Sequence, residues 1–305
     1  MRSVICFCFA LILSQSYCAQ EINFPDSKMA VVVLKNYNQI IGEVLENSDT
    51  KLILLIRGKE KRTFFKNELR FFKVLNEYDT VIRGKYMFPS QAKTGYFLTS
   101  SALTLGKRKL SLNGSYFLYT DAQYSISDNV DLGFSSMFGA PLSTTFKAKY
   151  SPSSTLHLGV KAYASWSSYI QLSTSIFAGQ ALITNGSPEK NITIGPGFGV
   201  SRVDGDNMGI LFSTFGIKSR ISQKLTLVGE GLFVKETQSR AQFLGIFSAM
   251  GGIQQHIGRK QMMSYGLGVV GYQFISFNFW GIPNSDDELF PMFYFGYRKT
   301  FSFKK

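Results

Sequence analysis

The sequence predicts an all-β protein, in which a small SH3-like or Sm-like β-domain precedes an antiparallel transmembrane β-barrel of about twelve strands, with about ten as the alternative. Three observations lead to this prediction. From residue 108 onward, short runs of alternating apolar and polar residues follow one another, each closed by turn-forming residues. No stretch offers the roughly 18 uninterrupted apolar residues that a membrane helix needs. The chain also begins with a segment typical of an export signal.

Residues 1–19 are predicted to be this signal peptide. Arg2 supplies a positive charge, residues 4–13 are apolar but too few to span a bilayer, and small residues follow around Cys18 and Ala19. All three cysteines of the chain lie in this leader. The mature protein is therefore expected to have no disulfide framework.

Residues 20–85 are predicted to form the small β-domain, located in the periplasm. Strand-like runs occupy residues 30–34, 39–46 and 51–56, with turn residues between them, and two further runs follow at 62–65 and 68–72. A helix over residues 66–74 is the local alternative. Because the domain follows an export signal, we expect a structural module or one that docks a periplasmic protein partner.

Residues 86–107 are predicted to be a linker or a segment that leads into the barrel. Pro, Gly and Lys interrupt the alternation near its start. Within it, residues 96–105 fit either a further strand or a plug-like segment at the barrel mouth, and periodicity does not distinguish the two.

Residues 108–305 are predicted to form the barrel, placed in the outer membrane of a bacterial cell. The clearest run is 155–166, in which Leu156, Leu158, Val160 and Trp166 share one face and Lys161 lies on the other. Most of the runs have about 9–12 residues, the length that a tilted strand needs to cross the bilayer. The predicted runs are 110–118, 130–138, 145–150, 155–166, 170–176, 192–201, 208–217, 225–234, 243–253, 263–269, 275–279 and 293–301.

The composition favours a bilayer as the partner of the apolar face. Charged residues make up 17% of the chain and aromatic residues 15%, with 28 phenylalanines. A barrel can direct these rings to lipid, whereas a soluble domain must bury most of them. The alternative is a secreted soluble β-barrel of the lipocalin kind, with its apolar face inward around a hydrophobic ligand.

Charged residues inside the predicted strands are assigned to the lumen, because charges facing lipid are destabilising. An internal ion-pair network is favoured over a solute passage; if a passage exists, the excess of Lys and Arg predicts a preference for anions. The candidate lumen charges are Asp131, Lys147, Lys149, Lys161, Arg202, Glu230 and Arg298, and Asp121 belongs to the same group.

The sequence predicts no catalytic, cofactor or metal site. His157 and His256 are the only histidines, no Cys/His spacing fits zinc, and no nucleophile-elbow motif is present. An enzyme acting on envelope lipid or polymer stays open as an alternative, because serines are abundant. The net charge of +13 is scattered over turns and strands without a nucleic-acid-binding module, so no nucleic-acid partner is expected.

Two stretches resemble uncharacterised exported proteins of Bacteroidota. Residues 33–36 followed by 40–44 are similar to the opening of their small β-domain, and residues 125–133 are similar to a turn between their first two barrel strands. In that family a small β-domain precedes an outer-membrane barrel. The resemblance spans most of the mature chain and implies a location and a fold, without a catalytic site.

Overall fold

The structure is a computed structural model, and it divides the chain into two compact units, Met1–Phe88 and Pro89–Lys305. It describes residues 28–75, 81–82, 84–88, 93–116, 119–137, 142–169, 172–203, 206–237, 242–257, 260–277 and 283–303. The predicted signal peptide lies outside these residues. None of the helices in the described ranges is long and apolar enough to cross a membrane.

The first unit contains a five-stranded antiparallel sheet in the order β4-β3-β2-β1-β5. Its apolar core comprises Ala30, Val32, Leu52, Leu54 and Phe64. A short hairpin, β6–β7, follows, and Tyr86 of β7 packs against Val31 and Val33 on the opposite face of β1. The strands are β1 Met29–Leu34, β2 Gln39–Asn47, β3 Lys51–Ile56, β4 Glu60–Phe65, β5 Leu69–Val74, β6 Val81–Ile82 and β7 Lys85–Tyr86.

This unit confirms the predicted small β-domain of five strands. The alternative of a helix over residues 66–74 is wrong except for one turn: a 3₁₀ helix covers Lys66–Glu68, and β5 begins at Leu69. Tertiary pairing explains this outcome, since β5 completes the sheet by pairing with β1.

The second unit is a closed antiparallel barrel of twelve strands, which confirms the predicted fold class. Each strand pairs with its neighbours in the chain, and β19 closes the ring by pairing with β8. The strands are β8 Lys109–Ser115, β9 Tyr119–Ser125, β10 Val130–Met137, β11 Leu142–Tyr150, β12 Leu156–Tyr169, β13 Leu172–Gly186, β14 Lys190–Val203, β15 Asp206–Arg220, β16 Leu225–Glu236, β17 Gln242–His256, β18 Gln261–Phe277 and β19 Pro283–Ser302.

The strand number is right although two strand boundaries were predicted wrongly. The predicted first strand, 110–118, ends earlier as β8, and β9 is an additional strand before the turn at residues 126–129. Conversely, the predicted runs 263–269 and 275–279 both fall on β18, which continues through Gly271 to Phe277. The turn at residues 126–129 therefore connects the second and third barrel strands, not the first and second.

Alternate residues of the barrel face outward and inward, with apolar side chains outside. On β12, Leu158, Val160 and Trp166 are exposed, whereas His157 and Gly159, which alternate with Leu158 and Val160, are buried. The same division continues around the ring, where Phe134, Phe146, Phe177, Phe198, Phe233 and Phe293 are exposed. The apolar face of the barrel is therefore its exterior, as the bilayer hypothesis requires.

The two ends of the barrel differ. At the end where β8 begins and β19 ends, here called the terminal end, three to five residues connect successive strands, and connections at the opposite end, such as the two residues between β12 and β13, are as short. At the opposite end the β18–β19 hairpin extends past the barrel wall, because β19 pairs with β8 only from Gly296 to Ser302.

Candidate functional site: the lumen and its plug segment

A segment preceding the first barrel strand lies inside the barrel. We call Thr94–Leu105 the plug segment. Tyr96, Phe97, Ser101, Ala102 and Leu103 in it are buried. The expected linker at residues 86–107 thus contains the plug-like element that periodicity left undecided.

The plug segment begins as a tight hairpin. Gly95 and Ser100 form an isolated bridge, the Tyr96 N–H donates to the Thr99 carbonyl at 3.0 Å, and the Ser101 N–H donates to the Thr94 carbonyl at 3.0 Å. No residue of the segment is charged, and Ser and Thr supply most of its polar side chains. Burying it therefore desolvates mainly backbone amides and carbonyls, which the barrel wall must satisfy.

Glu230, on β16, holds the tip of this hairpin. Its carboxylate accepts hydrogen bonds from the backbone N–H groups of Phe97 at 3.2 Å, Leu98 at 3.0 Å and Thr99 at 3.0 Å. The Thr99 hydroxyl adds a fourth at 2.9 Å. Three successive N–H groups directed at one carboxylate form an anion-binding nest, the type of arrangement in which charge-assisted hydrogen bonds are strong.

Tyr96 anchors the hairpin on the side of β14 and β15. Its hydroxyl lies 2.7 Å from Asn191 Oδ1 and 2.6 Å from Thr193 Oγ1. Its ring lies flat against Gly216, where a Cβ atom would come within 2.1 Å of the ring. A phenol is protonated at neutral pH, so the Tyr96 hydroxyl is available as a donor to these oxygens.

Aromatic and amide contacts hold the other side of the hairpin. The Phe97 ring lies 4.9 Å from the Tyr294 ring, centroid to centroid, and the Tyr294 hydroxyl donates to the Phe97 carbonyl at 3.2 Å. Gln254 Nε2 donates to the Tyr96 carbonyl at 3.0 Å. Val228 and Met250 complete an apolar cluster with these rings.

A buried ion pair holds the last part of the plug segment. Lys147 Nζ lies 3.5 Å from Asp131 Oδ2 and donates to the Leu103 carbonyl at 2.6 Å. Asp131 in turn accepts from the Leu105 N–H at 3.3 Å and from the Ser125 hydroxyl. Lys147 and Asp131 therefore each satisfy a plug backbone group in addition to each other.

Contacts to the plug segment come from every strand between β10 and β17 and from β19. Besides the residues above, Lys161 Nζ donates to Ser100 Oγ at 2.8 Å, Thr184 accepts from the Ala102 N–H at 2.8 Å, and the Lys218 ammonium lies 5.5 Å from the centre of the Tyr96 ring. The contacting residues lie in the half of the barrel nearest the terminal end. The plug segment thus crosses the lumen in this half of the barrel, and strands around most of the barrel wall contact it.

Six of the seven candidate lumen charges lie on the inward face. Asp131, Lys147, Lys161 and Glu230 contact the plug segment directly. Arg298 lies on β19 next to Gly95, and Lys149 lies near the end of β11. Asp121 also faces inward, where it accepts a hydrogen bond from Gln123 Nε2 at 3.1 Å.

Arg202 differs from the expectation, since it does not face the lumen. It is exposed and shares its face with Phe198 and Val200, two exposed apolar residues of β14. The two-residue period of β14 places Arg202 on the outward face. Arg202 lies one residue before the end of β14, which explains why a charge on this face is tolerated. The free energy of placing a basic residue on the lipid face falls to about 0–1 kcal/mol near the interfaces.

Sequence reasoning missed two buried cations of the lumen, Lys218 beside the Tyr96 ring and Arg220. Lys218 is fully buried and its ammonium lies 3.4 Å from the Lys93 carbonyl, and Arg220 pairs with Glu189 at 3.0 Å. Both cations share the inward face of β15 with Gly216 and Thr214. The signal that could have revealed them is their spacing of two residues along β15, which places residues 214, 216, 218 and 220 on one face of the strand.

Both histidines lie within hydrogen-bond distance of a hydroxyl group. His157 Nδ1 lies 2.8 Å from Ser151 Oγ and His256 Nε2 lies 3.2 Å from Thr226 Oγ1. Among the residues that the structure describes, no group of three or more His, Cys, Asp or Glu side chains could hold a metal ion.

No protein-family model and no curated protein matches this chain. Among solved structures, it is similar to OmpT of Vibrio cholerae expressed in the outer membrane, at 9% identity and a TM-score of 0.43, over 90% of this chain and 95% of that chain. It is also similar to an anion-selective porin from Comamonas acidovorans, at 10% identity and a TM-score of 0.38, over 90% of this chain and 97% of that chain.

Proposed function

We propose that this protein is an integral outer-membrane β-barrel for passive solute passage, and that the plug segment closes its lumen in the state described. The single observation that carries the proposal is the combination of an apolar exterior with a polar, charged lumen that an uncharged segment of the same chain crosses. A barrel that served only as a structural element could fill its lumen with side chains alone. A separate backbone segment adds an element that can leave.

The exterior supports the choice of a bilayer as the surrounding medium. Exposed apolar residues recur at every second position of the strands, while Lys147, Lys161 and Glu230 point away from them. In water, such a surface would expose far more apolar area than monomeric soluble proteins tolerate. In lipid the same arrangement is the expected one.

The proposal includes an orientation. Bacterial barrels have short periplasmic turns and longer extracellular elements. The β18–β19 hairpin extends past the barrel wall at the end opposite the terminal end. We therefore assign the terminal end to the periplasm, together with the N-terminal domain, whose role would be to dock a periplasmic partner.

Single-channel recording in planar lipid bilayers tests the closed passage. The variant replaces Thr94–Leu105 by a Gly/Ser linker of equal length, which keeps the chain continuous and removes every plug contact. We expect rare or no conductance steps from the wild type and frequent steps from the linker variant. Steady large steps from the wild type would contradict closure by the plug segment.

Two preliminary measurements make the recording interpretable. Membranes carrying the protein are washed with alkaline carbonate, and the protein is run on a heat-modifiability gel. Retention in the membrane and a mobility shift on heating are expected for both forms. If both forms meet these criteria and the linker variant still conducts nothing, a solute passage is excluded and a purely structural role remains.

A further inference from the structure

Arg298 is a buried cation without a hydrogen-bond partner on two of its nitrogens. Its side chain faces the lumen from β19 and the residue is only 7% exposed. Among the residues that the structure describes, neither Nε nor Nη1 has a partner. Leaving a buried charged donor unsatisfied is destabilising, and more so than leaving a neutral donor unsatisfied.

The other charged groups around the plug segment differ from Arg298 in this respect. Lys147 is paired with Asp131, Arg220 with Glu189, and Glu230 accepts backbone hydrogen bonds. Asp121 and the Tyr294 hydroxyl are the acidic groups that act on Arg298 electrostatically, and Lys147 and Lys218 act on it as well. Asp121 lies two strands away and is bound to Gln123.

The plug segment covers this guanidinium group. A Cβ atom on Gly95 would lie 3.4 Å from Arg298 Nη2, so the backbone of the plug segment lies close to the guanidinium group at this residue. Thr300, two residues along on the same inward face, is 2% exposed, and its hydroxyl also has no partner among the described residues. The docked plug segment therefore buries these donors without satisfying them.

We propose that Arg298, with Thr300 beside it, is a binding site for a small oxyanion, a carboxylate or phosphate group, and that the site becomes available when the plug segment leaves. This inference rests on the proposed plugged passage and adds the ligand class to it. An oxyanion supplies the acceptors that the guanidinium lacks, in surroundings that Lys147 and Lys218 make basic. Because the anion binds the undocked form, it shifts the population toward opening.

The test measures how the exposure of the plug segment depends on which anion is present in the buffer. Ser101, which is fully buried, is replaced by Cys in a chain whose three native cysteines are Ser, and the rate of maleimide labelling is followed in detergent or vesicles. Sodium phosphate and sodium acetate are compared with sodium chloride at equal ionic strength, so that general screening of ion pairs is the same. We expect labelling to accelerate with phosphate as 1 + [L]/Kd, about elevenfold at ten times Kd.

Arg298→Gln is the matched variant and Arg202→Gln its control, because Arg202 is an exposed arginine on the outward face. Arg298→Gln should abolish the phosphate dependence and slow labelling in chloride, since the docked state no longer buries an unsatisfied cation. Arg202→Gln should behave as the wild type. If Arg298→Gln does not fold, Thr300→Val and the wild-type titration decide the question.

Equal labelling in phosphate and chloride, or slower labelling in phosphate, would overturn the inference. Neither result would affect the proposed passage, because opening on removal of the plug segment is measured without any added oxyanion. Acceleration by acetate as well as phosphate would assign the site to oxyanions generally. Acceleration by phosphate alone would restrict the class to phosphate groups.

Discussion

Replacing Glu230 by Gln should release the plug segment while leaving the barrel wall intact. The carboxylate accepts four hydrogen bonds from Phe97, Leu98 and Thr99. An amide has one oxygen in place of two, and its NH₂ group faces N–H donors that it cannot satisfy. The change is isosteric, so the wall strand β16 keeps its packing.

The expected effect follows from the strength of these bonds. Hydrogen bonds to a charged acceptor contribute about 1.5–3 kcal/mol each, and breaking a buried charged contact from one side is destabilising by about 3–5 kcal/mol. We expect docking to weaken by about 3 kcal/mol. Since about 1.4 kcal/mol is a factor of ten, the undocked population should rise by about 10²-fold.

Thiol labelling at Ser101→Cys measures this population, because a buried thiol reacts only when the segment opens locally. A cysteine at Ser153, in the exposed turn between β11 and β12, reports the intrinsic reactivity and should label at the same rate in both backgrounds. Unchanged protection of residue 101 in Glu230→Gln would refute the assignment of Glu230 as the anchor of the hairpin.

Two further predictions concern the same segment. Gly216→Ala should also increase thiol labelling at residue 101, because the new methyl group would lie 2.1 Å from the Tyr96 ring. Gly251→Ala is the control, because a Cβ atom there meets nothing within 4 Å. Equal labelling of the two variants would show that the close approach of Tyr96 to Gly216 is unimportant. Lys147→Met leaves Asp131 and the Leu103 carbonyl without their shared cation, so the urea midpoint of unfolding should fall by the equivalent of about 3–5 kcal/mol. An unchanged midpoint would mean that this pair contributes nothing to stability.

Alternation along the chain was sufficient to predict the barrel, and turn chemistry was sufficient for most of its strand ends. It failed between β8 and β9, where Tyr116 adopts a positive φ of 53° and the following Phe117 and Leu118 are apolar. None of these residues has the turn preference of Gly, Asn or Pro. The sequence pattern also divided β18 into two runs, although it is one long strand. Pairing with β17 and β19 keeps this strand continuous, and the alternation within β18 does not reveal that pairing.

The candidate site was predictable in its charges and not in its contacts. A charged residue inside a strand faces the lumen only when it alternates with the outward apolar residues of that strand. Glu230 does so, whereas Arg202 shares the face of the apolar residues. The residue pattern of the plug segment does not distinguish it from a strand. Its hairpin is fixed by the residues of the barrel wall that surround it. Those partners lie up to 197 positions away, as for Phe97 and Tyr294, and no local signal encodes them.

The account depends most directly on the apolar exterior facing lipid. A spin-label scan of β12 from residue 157 to 166, in the full-length protein reconstituted into vesicles, measures this face by residue. Labels at 158, 160, 162, 164 and 166 should be accessible to oxygen dissolved in the acyl chains, and labels at 157, 159, 161, 163 and 165 should not. Accessibility with the opposite phase, or with no period of two, would contradict the account.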